Sequence, residues 1–345
     1  MKFVEYKEKK FDVTGDFLDL GLLEIEDLTD IKGLDKIKGL RELQLNANEI
    51  SEVKGLDKLK TLEVLNLGNN QIGTITGLEN LKNLEVLHLV SNSITEIKGL
   101  EKLSNLKELY LRGNQISNIA GISDLNKLEK LDLSWNQISE IINLDTFPKL
   151  EILWIAGNQL REIKGLEKLK NLKILNMAGN QIIEITGLES LTNLQELYLN
   201  NNLIKNIQGI DKLKNLETLW LSGNQIEEIK GLENCSKLKI INLKDNYIKN
   251  LKGLYSFPDL EKLYLSGNKI SEIKGLEALS KLETLDLGDN KITQIKGLES
   301  LMNLKDLWLN GNPIEPKLLD KLGGLDPSGC AINPIKFVEY SLVNL

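Results

Sequence analysis

Leu84-Glu85-Val86-Leu87-His88-Leu89-Val90-Ser91-Asn92-Ser93-Ile94-Thr95-Glu96-Ile97-Lys98-Gly99-Leu100-Glu101-Lys102-Leu103 is one copy of a pattern that fills this chain. Reduced to its fixed positions it reads L-x-x-L-x-L-x-x-N-x-I-x-x-I-x-G-L-x-x-L. Its asparagine recurs every 22 residues, at Asn48, Asn70, Asn92, Asn114, Asn136, Asn158, Asn180, Asn202, Asn224, Asn246, Asn268, Asn290 and Asn312. No insertion or deletion interrupts these thirteen units. One unit alone cannot bury its apolar face, so neighbours must stack to build a continuous core. A degenerate copy precedes them: Leu18, Leu23, Leu28, Ile31, Gly33, Leu34 and Ile37 fit, with Glu26 in the asparagine slot.

The L-x-L alternation has the period of a short strand with its leucines inward. Strands of successive units are expected side by side and parallel, about 4.8 Å apart. The asparagine sits where the chain leaves the strand, and its carboxamide can donate to and accept from the backbone of neighbouring turns. Seven residues on, glycine fills eleven of the thirteen slots, from Gly55 to Gly297; Asn143 is the internal exception and Leu319 lies past the repeat. Both glycine and asparagine tolerate φ > 0, which predicts a left-handed turn. The Gly-Leu-x-x-Leu segment that follows is short enough to be extended or a single helical turn. Phe147-Pro148 and Phe257-Pro258, five units apart, place a larger apolar residue in the last leucine slot.

The expected organisation is an N-terminal cap over residues 1–17, the repeat over 18–315 and a C-terminal cap over 316–345. In the last, Pro316 starts a short amphipathic helix, and Leu318, Leu322 and Leu325 are placed to cover the final core layer. Lys2-Phe3-Val4-Glu5-Tyr6 recurs as Lys336-Phe337-Val338-Glu339-Tyr340. Matched terminal strands, contact between molecules, a relic of duplication and coincidence all remain open for it.

With the leucines committed to the core, information about partners must sit in the exposed columns. The middle of L-x-L reads Gln44, Asn66, His88, Tyr110, Asp132, Trp154, Asn176, Tyr198, Trp220, Asn242, Tyr264, Asp286 and Trp308. Six of the chain's eleven Trp and Tyr residues fall in this column. The flanking leucines already define the inward face, and Trp and Tyr dominate binding hot spots, so the stripe reads as a docking surface. Related side chains recur five units apart (Tyr110 with Trp220, Trp154 with Tyr264, Tyr198 with Trp308), which suggests two similar sub-sites. The densest patch is expected around Trp154, with Ile152, Ile174, Tyr110 and Asp132 nearby. Trp135 joins from the rim, between Gly113 and Gly157 of its own column.

Five exposed columns around the strand hold 15 acids and 9 bases, a balance of −6 against −7 for the whole chain. Such a groove suits a protein partner with a basic or mixed surface and disfavours nucleic acid, which needs a basic face. The lysines Lys54, Lys98, Lys164, Lys230 and Lys274 lie elsewhere and alternate with Glu52, Glu96, Glu162, Glu228 and Glu272 as a solvated mixed-charge surface. A lone histidine, His88, excludes histidine metal clusters and most acid–base dyads. The glycines are spaced by the repeat and cradle no phosphate. The reading is therefore non-enzymatic, with no cofactor and no metal. Cys235 replaces a core leucine, and Cys330 lies more than four units away, too far for a disulfide. No apolar run reaches the roughly 18 residues of a membrane helix. The opening MKFVEYKEKK lacks the apolar stretch of a signal peptide. A cytoplasmic or otherwise intracellular location, away from membrane, is the expectation.

The unit from Ile97-Lys98-Gly99-Leu100 through Leu109-Tyr110-Leu111-Arg112-Gly113-Asn114-Gln115-Ile116 closely resembles the 22-residue class of leucine-rich repeats, over roughly residues 18–315. The class includes the leucine-rich regulatory subunit of protein phosphatase 1. The resemblance implies an α/β fold: a right-handed solenoid of thirteen units with a parallel concave sheet and short convex turns, capped at both ends. It also implies a protein held on the concave strands, with Tyr110, Asp132, Trp154, Tyr198, Trp220, Tyr264, Asp286 and Trp308 as contact positions. The role it suggests is a regulatory or scaffolding subunit of an intracellular enzyme, a phosphatase first. The end departs from that family, because its tyrosine-arginine and leucine-proline signature is absent after Asn312. The alternative is an internalin-like surface or secreted adhesin. Bacterial internalins also use 22-residue units, but typically carry proline where this chain has Gly99 and its equivalents.

Overall fold

Period 22 becomes a solenoid in which every unit contributes one three-residue strand. The computed structural model describes residues 3–122, 124–254 and 257–344. They form two compact units, residues 1–160 with 164–172, and residues 161–163 with 173–345.

In the first unit, β1 (Phe3–Tyr6) and β2 (Lys9–Asp12) make an antiparallel hairpin. Seven parallel strands follow: β3 (Phe17–Asp19), β4 (Glu42–Gln44), β5 (Val64–Asn66), β6 (Val86–His88), β7 (Glu108–Tyr110), β8 (Lys130–Asp132) and β9 (Ile152–Trp154). The second unit supplies seven more: β10 (Ile174–Asn176), β11 (Glu196–Tyr198), β12 (Thr218–Trp220), β13 (Ile240–Asn242), β14 (Lys262–Tyr264), β15 (Thr284–Asp286) and β16 (Asp306–Trp308). Helices α1 (Pro316–Lys321) and α2 (Pro334–Val343) close it.

From β4 onward in the first unit, and throughout the second, the register steps by 22: Leu87 pairs with Leu109, and Leu197 with Leu219. The first step differs. Leu18 pairs with Leu43, 25 residues on, so the opening turn is longer than the repeat and the asparagine slot of that turn is Leu23 rather than Glu26. Asn48 adapts by accepting from both Leu23 N and Ile25 N, at 3.0 and 3.1 Å.

Each turn sequesters its whole apolar set. Leu84, Leu87, Leu89, Ile94, Ile97, Leu100 and Leu103 are all essentially without solvent contact. Full burial of such side chains stabilises by about 1.5–3 kcal/mol apiece, the dominant favourable contribution. Phe147 and Phe257 are equally buried, so the Phe-Pro units fill the same layer with a larger ring. The asparagines do what their position demands. Asn92 Nδ2 donates to Leu89 O (3.1 Å) and to Leu67 O of the previous turn (3.0 Å), while Oδ1 accepts from Ile72 N (3.0 Å).

The glycine column has two causes rather than one. Gly99 has φ 85°, and a β-carbon there would also collide with the carbonyl oxygen of Ile75 in the turn before. Asn143 meets the dihedral requirement with φ 61° and opens a 3-10 turn over Leu144–Thr146. Gly33 opens a second such turn over Leu34–Lys36, and in most other units the segment is a run of tight turns, as in Leu103 N to Leu100 O (2.9 Å) and Leu106 N to Leu103 O (3.0 Å).

Both ends are sealed. Val4 and Tyr6 of β1 are buried, and Glu5 and Lys32 exchange backbone hydrogen bonds of 3.1 and 2.9 Å. At the other end α1 starts at Pro316 as expected and Leu322 is buried, whereas Leu318 and Leu325 are only half-buried. The tighter seal is α2, which sequence reading missed: Phe337 and Val338 are fully buried, and Ser341 Oγ accepts from Leu298 N (3.2 Å) and donates to Glu299 (2.8 Å). The repeated pentapeptide is thus not a pair of matched strands. Phe3-Val4-Glu5-Tyr6 is β1, whereas Lys336–Tyr340 is helical within α2; Lys2 lies outside the described residues. Among the described residues no helix is long and apolar enough to cross a membrane.

Candidate protein-binding face

Successive strand residues point to opposite sides. The central leucine of each strand goes into the core, and the residue after it stands on the open face of the sheet. Parallel pairing in register stacks these outward residues into a ladder.

In the first unit His88 and Tyr110 stack with centroids 4.5 Å apart and planes 3° from parallel. Tyr110 also leans across Asp132 toward Trp154, with centroids 6.4 Å apart at 25°. Tyr110 Oη donates to Glu108 (2.6 Å), and Lys130 Nζ donates to the same carboxylate (2.9 Å). Burial and the Glu108 carboxylate push the Tyr110 phenol far above its ordinary pKa, so it remains a neutral donor. Burial works against the charged form of Glu108, yet the bonds from Tyr110 and Lys130 outweigh it and hold that carboxyl below its usual range. Burial holds the His88 imidazole below its usual pKa, against a smaller opposing pull from Glu108.

Trp135 stands at the edge of this patch, 61% exposed, with φ 57°. Its ring lies over Gly157, where a β-carbon would come within 2.9 Å of Cδ2. One ring face is thus seated on the glycine while most of the side chain stays open to solvent. Ile152 is half-buried on β9; Ile174 is half-buried on β10 in the second unit.

The second unit repeats the chemistry. Tyr198 and Trp220 make a tilted pair, 5.8 Å and 52°, and Tyr198 Oη donates to Glu196 (2.6 Å). Tyr264 and Trp308 are half-buried on the same face. Asp286 departs from its expected role as an open contact. It is only 6% exposed, because Lys244 reaches over the Tyr264 ring, 5.2 Å from its centroid, to within 2.5 Å of Asp286 Oδ2. The C-terminal segment crowds the same corner, since Cys330 bridges Trp308 of β16 in antiparallel fashion.

Sequence reading missed Glu108, Glu196 and Lys244. The first two were findable, because Glu-Leu-Tyr occurs at 108–110 and 196–198 and residues two apart on a strand share a face. Lys244 was not, since nothing local ties it to a residue 42 positions away. The Lys–Glu surface behaves as expected: Lys98–Glu96, Lys230–Glu228 and Lys274–Glu272 are exposed pairs. Among the described residues no group of three His, Cys, Asp or Glu is placed to hold a metal ion, and both cysteines are free.

A stack of parallel strands presenting an aromatic, acid-rimmed ladder defines a protein-interaction module. The chain belongs to the leucine-rich repeat family. The family of leucine rich repeats (2 copies) matches it in overlapping windows from 38–80 to 236–278, and again over 280–322. Among solved structures it is similar to an internalin of Listeria monocytogenes, at 29% identity over 81% of this chain and 90% of that one, TM-score 0.66. A leucine-rich repeat protein of Leptospira interrogans is also 29% identical, over 88% and 92% of the two chains, TM-score 0.68. The ectodomain of a plant membrane receptor kinase from Arabidopsis thaliana, solved in complex with Casparian strip integrity factor 2, is 25% identical over 84% of this chain and 38% of that one, TM-score 0.65. No curated protein matches the chain.

Proposed function

We propose that the open sheet face, centred on Tyr110 and Trp154 in one unit and on Tyr198 and Trp220 in the other, holds a protein partner, and that the chain serves as a regulatory or scaffolding subunit. The carrying observation is the concentration of half-exposed aromatic rings on the open face. Rings on short strands held by a hydrogen-bonded ladder are pre-positioned, so little ordering entropy is lost on docking. An enzyme of the phosphatase type is the first candidate for the regulated partner, by resemblance of the repeat unit. Two free cysteines suit a reducing, intracellular compartment. The 29% identity to a Listeria internalin favours a second reading, a surface or secreted adhesin.

The test is affinity capture from the native cell with wild type and with the Trp154→Ala, Trp220→Ala double variant, both checked for intact fold by circular dichroism. Loss of one captured protein with the double variant supports the reading, and its identity separates regulator from adhesin. Equal capture by both forms overturns it.

A further inference from the structure

The open face carries the same three side chains twice, in the same order on consecutive strands. Tyr110, Asp132 and Trp154 stand on β7, β8 and β9; Tyr264, Asp286 and Trp308 stand on β14, β15 and β16. The spacing between the two sets is seven units, not the five suggested by the column as a whole. In the second set the chain supplies its own ligand. Lys244 leaves the turn after β13, crosses the Tyr264 ring at 5.2 Å from the centroid, and places its ammonium 2.5 Å from Asp286. A cation this close to a ring face and a carboxylate gains from both the quadrupole and the charge.

In the first set the position equivalent to Lys244 is Val90. No lysine or arginine among the described residues pairs with Asp132, whose Oδ1 accepts only from Ser134 N, at 2.9 Å, among the hydrogen bonds of the described residues. Lys130, its neighbour on β8, is turned to Glu108. Asp132 remains half-exposed where Asp286 is buried. Tyr110 and Trp154 close over it with centroids 6.4 Å apart. A planar cation between two rings needs about 3.5 Å on each side, roughly 7 Å in all, so the two rings must part to admit one.

We propose that Tyr110, Asp132 and Trp154 form a receptor for a cationic side chain, lysine or arginine, of a protein partner, of which the Lys244–Tyr264–Asp286 cluster is the internally filled counterpart. This rests on reading the sheet face as the partner-binding surface, and it names the chemistry that the partner inserts there. The uncompensated carboxylate between two rings supplies the charge complementarity, and the filled cluster supplies the geometry.

The test uses the full chain labelled with 5-fluorotryptophan. Its four fluorine signals, from Trp135, Trp154, Trp220 and Trp308, are assigned by single Trp→Phe variants. Tetra-arginine amide is the probe and tetra-glutamine amide the uncharged control. The Trp154 signal is expected to shift saturably with the arginine probe alone. Asp132→Asn should weaken that response at least tenfold. Val90→Lys, which installs the missing lysine, should weaken it equally while leaving the fold intact. Lys244→Val, which empties the second cluster, should make the Trp308 signal respond. A Trp154 signal that ignores the probe overturns the proposal. So does a response unchanged in both Asp132→Asn and Val90→Lys, which would mark diffuse attraction to an acidic surface. If Val90→Lys captures the native partner as wild type does while Trp154→Ala loses it, the cation receptor is refuted and the partner-binding face stands.

Discussion

Replacing Asn114 by alanine tests the ladder that aligns the open face of the sheet. Asn114 is 8% exposed. Its Nδ2 donates to Leu89 O and Leu111 O, both at 2.9 Å, and its Oδ1 accepts from Ile94 N at 3.0 Å. The two carbonyls are not orphaned by the substitution. Leu89 O keeps a bond from Asn92 (3.1 Å) and Leu111 O keeps one from Asn136 (3.0 Å). Only the Ile94 N–H is stranded in the core. A stranded buried donor costs about 1–3 kcal/mol, and each weakened carbonyl adds about 0.5 kcal/mol, so the expected loss is about 2–4 kcal/mol. Asn114→Asp should be worse at pH 7, because a carboxylate would face two carbonyl oxygens with no proton to offer; acid should narrow the gap as it is protonated. Urea unfolding followed by circular dichroism gives the global figure. Hydrogen exchange at the Ile94 amide gives the local one, which matters because solenoids can open unit by unit. A loss under about 0.5 kcal/mol with Ile94 still protected would refute the reasoning, since it would mean that the ladder is redundant with the leucine core.

Four further outcomes are expected. Trp154→Ala should weaken partner binding by about 2 kcal/mol or more in calorimetry, with an unchanged unfolding midpoint. Gly157→Ala should lift the Trp135 ring, seen as a red shift in its fluorescence in a background where the other tryptophans are phenylalanine, and should cost about 1–2 kcal/mol because φ there is +66°. His88 titrates below the ordinary histidine value of about 6.5, so the folded state resists its protonation: the stability this gives is present above that value and is lost as pH falls through the lowered one. His88→Gln should flatten that part of the stability–pH curve, and an unaltered curve would exclude the effect. Burial pushes the Cys235 thiol up to about 11, so at pH 8 a disulfide reagent should titrate Cys330 in the native chain and Cys235 only in denaturant.

Most of the fold was legible because the strand, the turn and the left-handed glycine are each decided within one 22-residue unit. What escaped was decided elsewhere. Phe-Val-Glu-Tyr is extended in β1, where Glu5 pairs with Lys32, and helical in α2, where Pro334 starts the helix and Phe337 drops onto the end of the core. The same residues serve both roles, so only tertiary context separates them. The proposed binding face divides the same way. The aromatic column could be read down the sequence, and so could the glycines beside Trp135. The occupancy of Asp286 could not, because a long flexible lysine bridges three consecutive strands' worth of chain.

An interior leucine carbonyl of the ladder, such as Leu89 O, serves two asparagines, its own and that of the next turn, while Leu20 O and Leu309 O at the ends serve one each. This makes the turn a unit of inheritance as well as of structure. Adding or deleting one whole unit leaves every interior carbonyl with the same two kinds of donor, whereas a change of one or two residues would pull an asparagine out of reach on both sides. The 25-residue opening step is tolerated at the boundary, where Leu23 replaces the asparagine and no earlier rung depends on it. Growth of this chain is therefore quantised, and its open face can change length without any of its rungs being rewritten.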